Sequence, residues 1–334
     1  MQNYFIFILF TLILSSKSFS VPEKDLDQLF INKVIPFVEQ NIMMDSFKNS
    51  SGHKVVWGIM PPQSGSKGLV LILEGRTESH KKYREVIYDL YKSGYDTAIM
   101  DWVGQGASDH ISSVNHQYGH IDSFETYKKD ISILLEQRKF KMIRGQKPIY
   151  VLAHSMGANI ASLYAAENPD VFSKMALISP MLDIRTDPFP ESVAVFILKV
   201  LNFIGRGEHK APFTGEFSPN EENTVTSSEV RRRLFFAERV AYKDHIVGPP
   251  TSGFALEAIK ATRDMRSTAE KLKNPIMMFQ AGDDSIVKTE GQDFVCSRAA
   301  LCEKILFEKG KHELLMEKDD IRDEIFERLS KFFK

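Results

Sequence analysis

Ser155 is the residue around which a reaction can be built. It ends an apolar strand pattern over 149–153 and precedes a helical pattern over 156–168, with small residues at the junction. Strand, tight turn and helix with a hydroxyl at the corner make a nucleophile elbow, whose usual pattern is G-x-S-x-G. Here the first glycine is Ala153, a residue still small enough for the close approach of the following helix. A serine hydroxyl at neutral pH needs a base to take its proton and an acid to hold that base. With a serine on such an elbow, the acid follows a later strand, beyond the inserted segment, and the histidine comes last. His312 fills the last place: it follows a strand pattern at 304–308, and no other histidine lies beyond His245. The strand pattern at 275–280 runs into Asp283 and Asp284. Asp284 stands two residues before the β-branched pair Ile286-Val287 and is selected as the acid, leaving Asp283 as a loop residue or secondary acceptor.

An oxyanion formed during acyl transfer needs backbone N–H donors. Met156, directly after the nucleophile, supplies one. The loop Glu74-Gly75-Arg76-Thr77-Glu78 supplies the other, with the Arg76 N–H as the candidate donor. The side chains of Arg76 and Glu78 are expected to form no more than a surface ion pair. The loop Asp101-Trp102-Val103-Gly104-Gln105-Gly106-Ala107-Ser108 has no Gly-Lys-Ser/Thr and no full G-x-G-x-x-G, so it is read as a tight structural turn. His154 is expected to pack beside the elbow, and His53, His80, His110, His116, His120, His209 and His245 to be ordinary surface or core residues. There is no Cys-x-x-Cys and no His-Glu-x-x-His, and the chemistry requires neither metal nor organic cofactor.

These residues must be positioned by a sheet. Strand patterns at 68–73, 95–100, 149–153 and 174–179, the first a continuous apolar run, alternate with helical patterns at 80–92, 124–138 and 156–168. Such alternation with short connections predicts an α/β fold: a mostly parallel sheet with helices on both faces. Ahead of it lie a helical pattern over 21–39, interrupted by Pro36, and two strands at 46–48 and 54–60. No sheet strand is legible from Arg185 to about Met265, where the segments 193–204 and 234–240 read as apolar helices. This is a helical cap inserted after the sixth sheet strand. The expected division is a core of residues 21–184 and 266–334 with a cap of 185–265. Within the cap, 193–204 is apolar nearly all round and is expected to be mainly buried. The run Arg231-Arg232-Arg233 is expected to be a solvated helix face rather than a phosphate site.

The chain has 334 residues, 43% hydrophobic and 26% charged, with a formal net charge of -1. That size supports a large core, and that charge gives no case for nucleic acid. The 24 phenylalanines are read as extra core. Residues 5–14 are apolar except Thr11, and Ser18-x-Ser20 provides a small-residue cleavage site. A helix of about ten residues spans about 15 Å, too short for a bilayer, so residues 1–20 are expected to be a secretory signal peptide and the protein exported, to a periplasm or beyond the cell. No Lys or Arg precedes the apolar run, a departure from the usual signal. Cys296 and Cys302 could close a small disulfide loop in an oxidising compartment or remain two thiols.

The motifs Ala153-His154-Ser155-Met156-Gly157-Ala158, Asp101-x-x-Gly104-x-Gly106-x-Ser108, Ala281-Gly282-Asp283-Asp284-Ser285-Ile286-Val287 and Lys311-His312-Glu313-Leu314-Leu315-Met316-Glu317 together resemble the serine α/β-hydrolases that include monoacylglycerol lipases and bacterial lysophospholipases. Glu74-Gly75-Arg76-Thr77-Glu78-Ser79, followed by Lys82-Tyr83-Arg84-Glu85-Val86, is most similar to the lysophospholipase branch. The resemblance spans roughly 46–333 and implies the α/β-hydrolase fold and a fatty acid ester as substrate. It implies Ser155, Asp284 and His312 as catalytic residues. A small-molecule lipid ester under the cap, with membrane-surface contact through the cap, is the expected partner. An aminopeptidase on the same fold, with Glu216, Glu221 and Glu222 holding a substrate amine, is the alternative enzyme. A non-catalytic binding protein on a hydrolase scaffold is the other alternative.

Overall fold

The computed structural model describes residues 20–215 and 225–334. The expected signal peptide therefore lies outside the described residues except for Ser20, as do Glu216, Glu221 and Glu222.

Eight strands form one sheet: β1 (Met43–Lys48), β2 (Lys54–Ile59), β3 (Leu69–Leu73), β4 (Asp96–Met100), β5 (Ile149–His154), β6 (Lys174–Ile178), β7 (Ile276–Ala281) and β8 (Cys302–Phe307). Their order is β1-β2-β4-β3-β5-β6-β7-β8. β1 and β2 are antiparallel, as is the β2–β4 pair, and every pairing from β4 to β8 is parallel. The inner parallel strands β3 to β7 are buried on both faces, whereas the edge strand β8 is largely exposed, and burial on both faces explains the unbroken apolar run of β3.

The helices are α1 (Glu23–Leu29), α2 (Ile35–Asn41), α3 (Arg84–Lys92), α4 (Phe124–Glu136), α5 (Arg138–Arg144), α6 (Ser155–Glu167), α7 (Glu191–Phe203), α8 (Glu229–Ala241), α9 (Ser252–Thr268), α10 (Thr289–Cys296) and α11 (Asp319–Phe332). Alternate strand residues divide them into two layers. Leu71, Val151 and Leu177 pack with residues of α4, α5, α6 and α9. Val70, Leu152 and Ile178 pack with residues of α1, α3 and α11. Pro36 does not end the N-terminal helix as its sequence position suggests. The backbone widens into a π-turn over Phe30–Val34, and the proline falls in the first turn of α2. A proline has no N–H to give, and the wider turn absorbs that loss.

Between β6 and β7 lie α7, α8 and α9. α9 returns to the sheet, and its Phe254, Ala258, Ala261 and Met265 enter the core beside α6. α7 departs from expectation. Val195 and Leu198 are buried, but Phe196, Val200, Phe203 and Ile204 are exposed, Phe203 by 91%. A helix apolar all round needs cover on every side, and α7 packs on α9 along one side only. The arginine run is corrected too. Arg231 is buried, bonded to Glu85, Asp319 and the Val21 carbonyl, and ties α8 to α3 and the chain's N-terminal segment. Arg232 and Arg233 face outward, beside Glu229 and Asp27. Cys296 and Cys302 form a disulfide, with Cα atoms 5.3 Å apart, that joins the end of α10 to the edge strand β8. Among the described residues no helix is long and apolar enough to cross a membrane.

Candidate active site

Ser155 sits at the carboxyl end of β5, near the middle of the sheet, with φ at 48°. That left-handed conformation is strained for a residue with a Cβ, and it turns the hydroxyl outward at the strand–helix corner. Close packing of α6 on β3 explains Gly157: a Cβ there would lie 2.4 Å from the carbonyl oxygens of Leu73 and Glu74. The Met156 N–H lies in the first turn of α6, where backbone donors have no intrahelical partner.

His312 follows β8 and Asp284 follows β7, so neighbouring parallel strands deliver both to the same sheet edge as the serine. The Ser155 hydroxyl lies 2.9 Å from His312 Nε2, and His312 Nδ1 lies 2.8 Å from Asp284 Oδ2. A carboxylate at Nδ1 fixes that nitrogen as the donor, leaving Nε2 with a lone pair to accept the serine proton. The other Asp284 oxygen accepts from the N–H groups of Ile286 at 2.8 Å and Val287 at 3.0 Å. Burial pushes the Asp284 carboxyl up, but the His312 ring and these N–H groups outweigh it and hold it below the ordinary aspartate value. Of the two neighbouring aspartates, Asp284 is the one whose carboxylate meets the ring.

The loop after β3 is held on all sides. Glu74 C=O accepts from Trp102 Nε1 at 2.8 Å, and Gly75 C=O accepts from Gln105 Nε2 at 2.8 Å. The Gly75 N–H donates to Glu78 Oε2 at 2.6 Å. Arg76 N–H is the next backbone donor. The 101–108 turn, read from sequence only as tight packing, supplies Trp102 and Gln105 to this loop. Asp101 in turn accepts from the His80 backbone N–H at 2.6 Å and its ring at 2.7 Å, so His80 is no ordinary surface residue.

Beneath the serine lies a buried charge cluster that sequence reasoning missed. Glu78 is not paired with Arg76 at the surface. It is buried and bonded to Lys82 at 2.7 Å, to His154 Nδ1 at 2.8 Å and to the Tyr83 hydroxyl at 2.7 Å. Lys82 also bonds Glu313, next to His312. His154 Nε2 lies 3.2 Å from the His312 carbonyl oxygen. Both ring nitrogens of His154 face acceptors, an arrangement that favours the doubly protonated ring. Burial disfavours its charge, yet Glu78 and Glu313 prevail and raise its pKa. Glu78 is correspondingly held well below the usual range by Lys82 and His154 despite its burial. Glu78, His154 and Glu313 offer ligand atoms within 4.8 Å of one another, but the Lys82 ammonium already lies between the two carboxylates. Glu78 and Lys82 both lie in the turns ahead of α3, outside any helix, so no helical spacing marks the pair in the sequence.

A cavity of about 390 Å³ opens beside the loop, lined by Arg76, Met181, Ile184, Leu198, Phe254 and Ile259 among others. Most of its wall is aliphatic or aromatic, as a site for an apolar ligand requires.

A serine on a strained elbow, with its histidine and aspartate brought to one rim of an eight-stranded sheet, defines an enzyme of the α/β-hydrolase class. The chain belongs to the hydrolase family described as "Serine aminopeptidase, S33", which it matches over residues 64–319. It is 28% identical to the probable lysophospholipase L2 of Haemophilus influenzae, over 91% of this chain and 96% of that one. It is 32% identical to the lysophospholipase L2 of Escherichia coli K12, over 79% of this chain and 80% of that one. In fold it is similar to a soluble variant of monoglyceride lipase from Saccharomyces cerevisiae, with a TM-score of 0.70, 16% identity, and coverage of 87% of this chain and 94% of that one.

Proposed function

We propose that this hydrolase cleaves the carboxylic ester of a single-chain fatty acyl lipid, as a lysophospholipase or monoacylglycerol lipase-like esterase, by two-step acyl transfer. His312 takes the Ser155 proton as Ser155 Oγ attacks the ester carbonyl. The Met156 and Arg76 N–H groups receive the oxyanion. His312 then protonates the leaving alcohol, and water activated by the same ring releases the acid. Asp284 orients the ring and stabilises its cationic form. The observation that carries this reading is the unbroken run of hydrogen bonds from Asp284 through His312 to Ser155. The apolar cavity beside Arg76 and the similarity to proteins named lysophospholipase L2 support the lipid ester.

The exposed apolar residues of α7, with Phe213 beside the cavity, are read as the face that rests on a membrane while a lipid enters under the cap. Export remains part of the proposal, and the Cys296–Cys302 disulfide supports an oxidising compartment.

A fluorophosphonate probe should label the wild type and not Ser155→Ala. Purified protein is then given lysophospholipids, monoacylglycerols, acetyl esters and aminoacyl-naphthylamides. Long single-chain esters should be turned over fastest; preferential cleavage of the naphthylamides would replace this reading with the peptidase one, and equal or better turnover of acetyl esters would remove the acyl cavity from it.

A further inference from the structure

We infer that the Arg76 side chain is the receptor for the phosphodiester of a lysophospholipid substrate, which makes the glycerophospholipid headgroup the feature this site selects. The inference rests on the ester-hydrolase reading of the same site and deepens it.

The contrast among enclosed arginines carries the argument. Arg84 is paired with Glu39 and Glu238, Arg231 with Glu85 and Asp319, and Arg322 with Glu85 and Asp89. Arg76 faces no carboxylate among the described residues. Its guanidinium donates to the Gly248 carbonyl and lies over the Phe254 ring, 5.3 Å from the centroid. Its Nε is buried without an acceptor. In a half-buried guanidinium an enclosed Nε with no acceptor is costly, and a planar fork of donors suits two oxygens of one phosphate. Burial lowers the pKa only to about 10, so the group stays cationic at neutral pH.

Placement supplies the rest. Arg76 lines the cavity, and its own backbone N–H is the proposed oxyanion donor. In a lysophospholipid the glycerol carries the ester at one end and the phosphate at the other. One side chain's reach separates the two Arg76 groups that would meet them. Gly119 keeps the space open, since a Cβ there would lie 3.1 Å from Arg76 Nη2. Among the described residues, the other ionisable ones lining the cavity are Arg185, whose Nη2 lies 3.3 Å from the Asp284 carbonyl oxygen, and the exposed Asp187, so the described lining is positive on balance.

The test compares Arg76→Gln and Arg76→Lys with wild type on a lysophosphatidylethanolamine and a monoacylglycerol of the same acyl chain. Both variants keep the backbone N–H, and fluorophosphonate labelling of Ser155 reports an intact fold. The readout is the ratio of the two kcat/KM values, from which any loss common to both substrates divides out. Arg76→Gln should lower the lysophospholipid-to-monoacylglycerol ratio at least tenfold, with Arg76→Lys between it and wild type. Glycerophosphoethanolamine should inhibit the wild type competitively and lose at least tenfold in potency against Arg76→Gln, whereas inorganic phosphate inhibiting equally well would overturn the headgroup as the source. An unchanged ratio overturns the inference. So does an unchanged ratio with selective loss of inhibition by free fatty acid, which would place a product carboxylate there instead. A wild type that cleaves neither lipid refutes the ester reading itself; one that cleaves only the monoacylglycerol refutes the Arg76 inference alone.

Discussion

Replacing Lys82 by methionine tests the buried cluster under Ser155 most directly. Lys82 lies between Glu78 and Glu313, and the side chains of all three are nearly inaccessible. Methionine keeps much of the side-chain volume and removes the charge. Among the described residues the two buried carboxylates then keep only the His154 ring as a cationic partner, and breaking a buried pair in this way costs about 3–5 kcal/mol. The pH dependence follows from the signs. In the wild type Lys82 and His154 hold Glu78 well below the ordinary glutamate value, so its contribution is present above pH 4.5 and is lost as pH falls through its folded value. Without Lys82, burial and the neighbouring Glu313 carboxylate push Glu78 up. Its cost is then absent at low pH and grows as pH rises through the raised value. Urea unfolding at pH 5 and pH 8 should show Lys82→Met destabilised at both, and more so at pH 8. Adding Glu313→Gln should restore part of the loss at pH 8. Because Glu78 bonds the Gly75 N–H and His154 bonds the His312 carbonyl, kcat should fall as well. A loss below about 1 kcal/mol, or one independent of pH, would refute the view that Lys82 neutralises this cluster.

Asp284→Asn keeps the shape of the acid but invites the wrong His312 tautomer, and kcat should fall by about 10³–10⁴ with little change in melting temperature; a loss below tenfold would remove Asp284 from the mechanism. Gly157→Ala drives a Cβ into the Leu73 and Glu74 carbonyl oxygens and should cost about 3 kcal/mol in urea unfolding, along with most of the fluorophosphonate labelling rate. Asp130 is fully buried, with neither carboxylate oxygen hydrogen-bonded, and burial, partly opposed by Asn49, raises its pKa from an ordinary 3.8 to about 7. Ionised Asp130 is thus a cost that is absent below about pH 4 and complete above pH 7, so Asp130→Asn should gain up to about 4 kcal/mol at pH 8 and nothing at pH 4. A stability gain that is the same at both pH values would rule this out.

Much of the molecule is local in origin and can be read from the chain. Apolar runs buried on both faces identify β3 to β7, and the spacing of turn residues marks where each ends. Ser155, Asp284 and His312 are legible because a parallel sheet delivers successive strand ends to one rim, so order along the chain becomes position at the site. Side-chain partners are not local. Glu78 meets His154 across 76 positions, and Arg231 meets Glu85 across 146, contacts that no periodicity encodes. Sequence patterning judges α7 by its own apolarity, but whether Phe196 and Phe203 are covered depends on what the rest of the chain places over them. Residue type and order along the chain thus mark the strand ends and the polar side chains placed beside them. Burial, charge pairing and the exposed cap face were decided only when distant segments closed around them, because the cost of a charge or an apolar surface depends on the surroundings that folding provides.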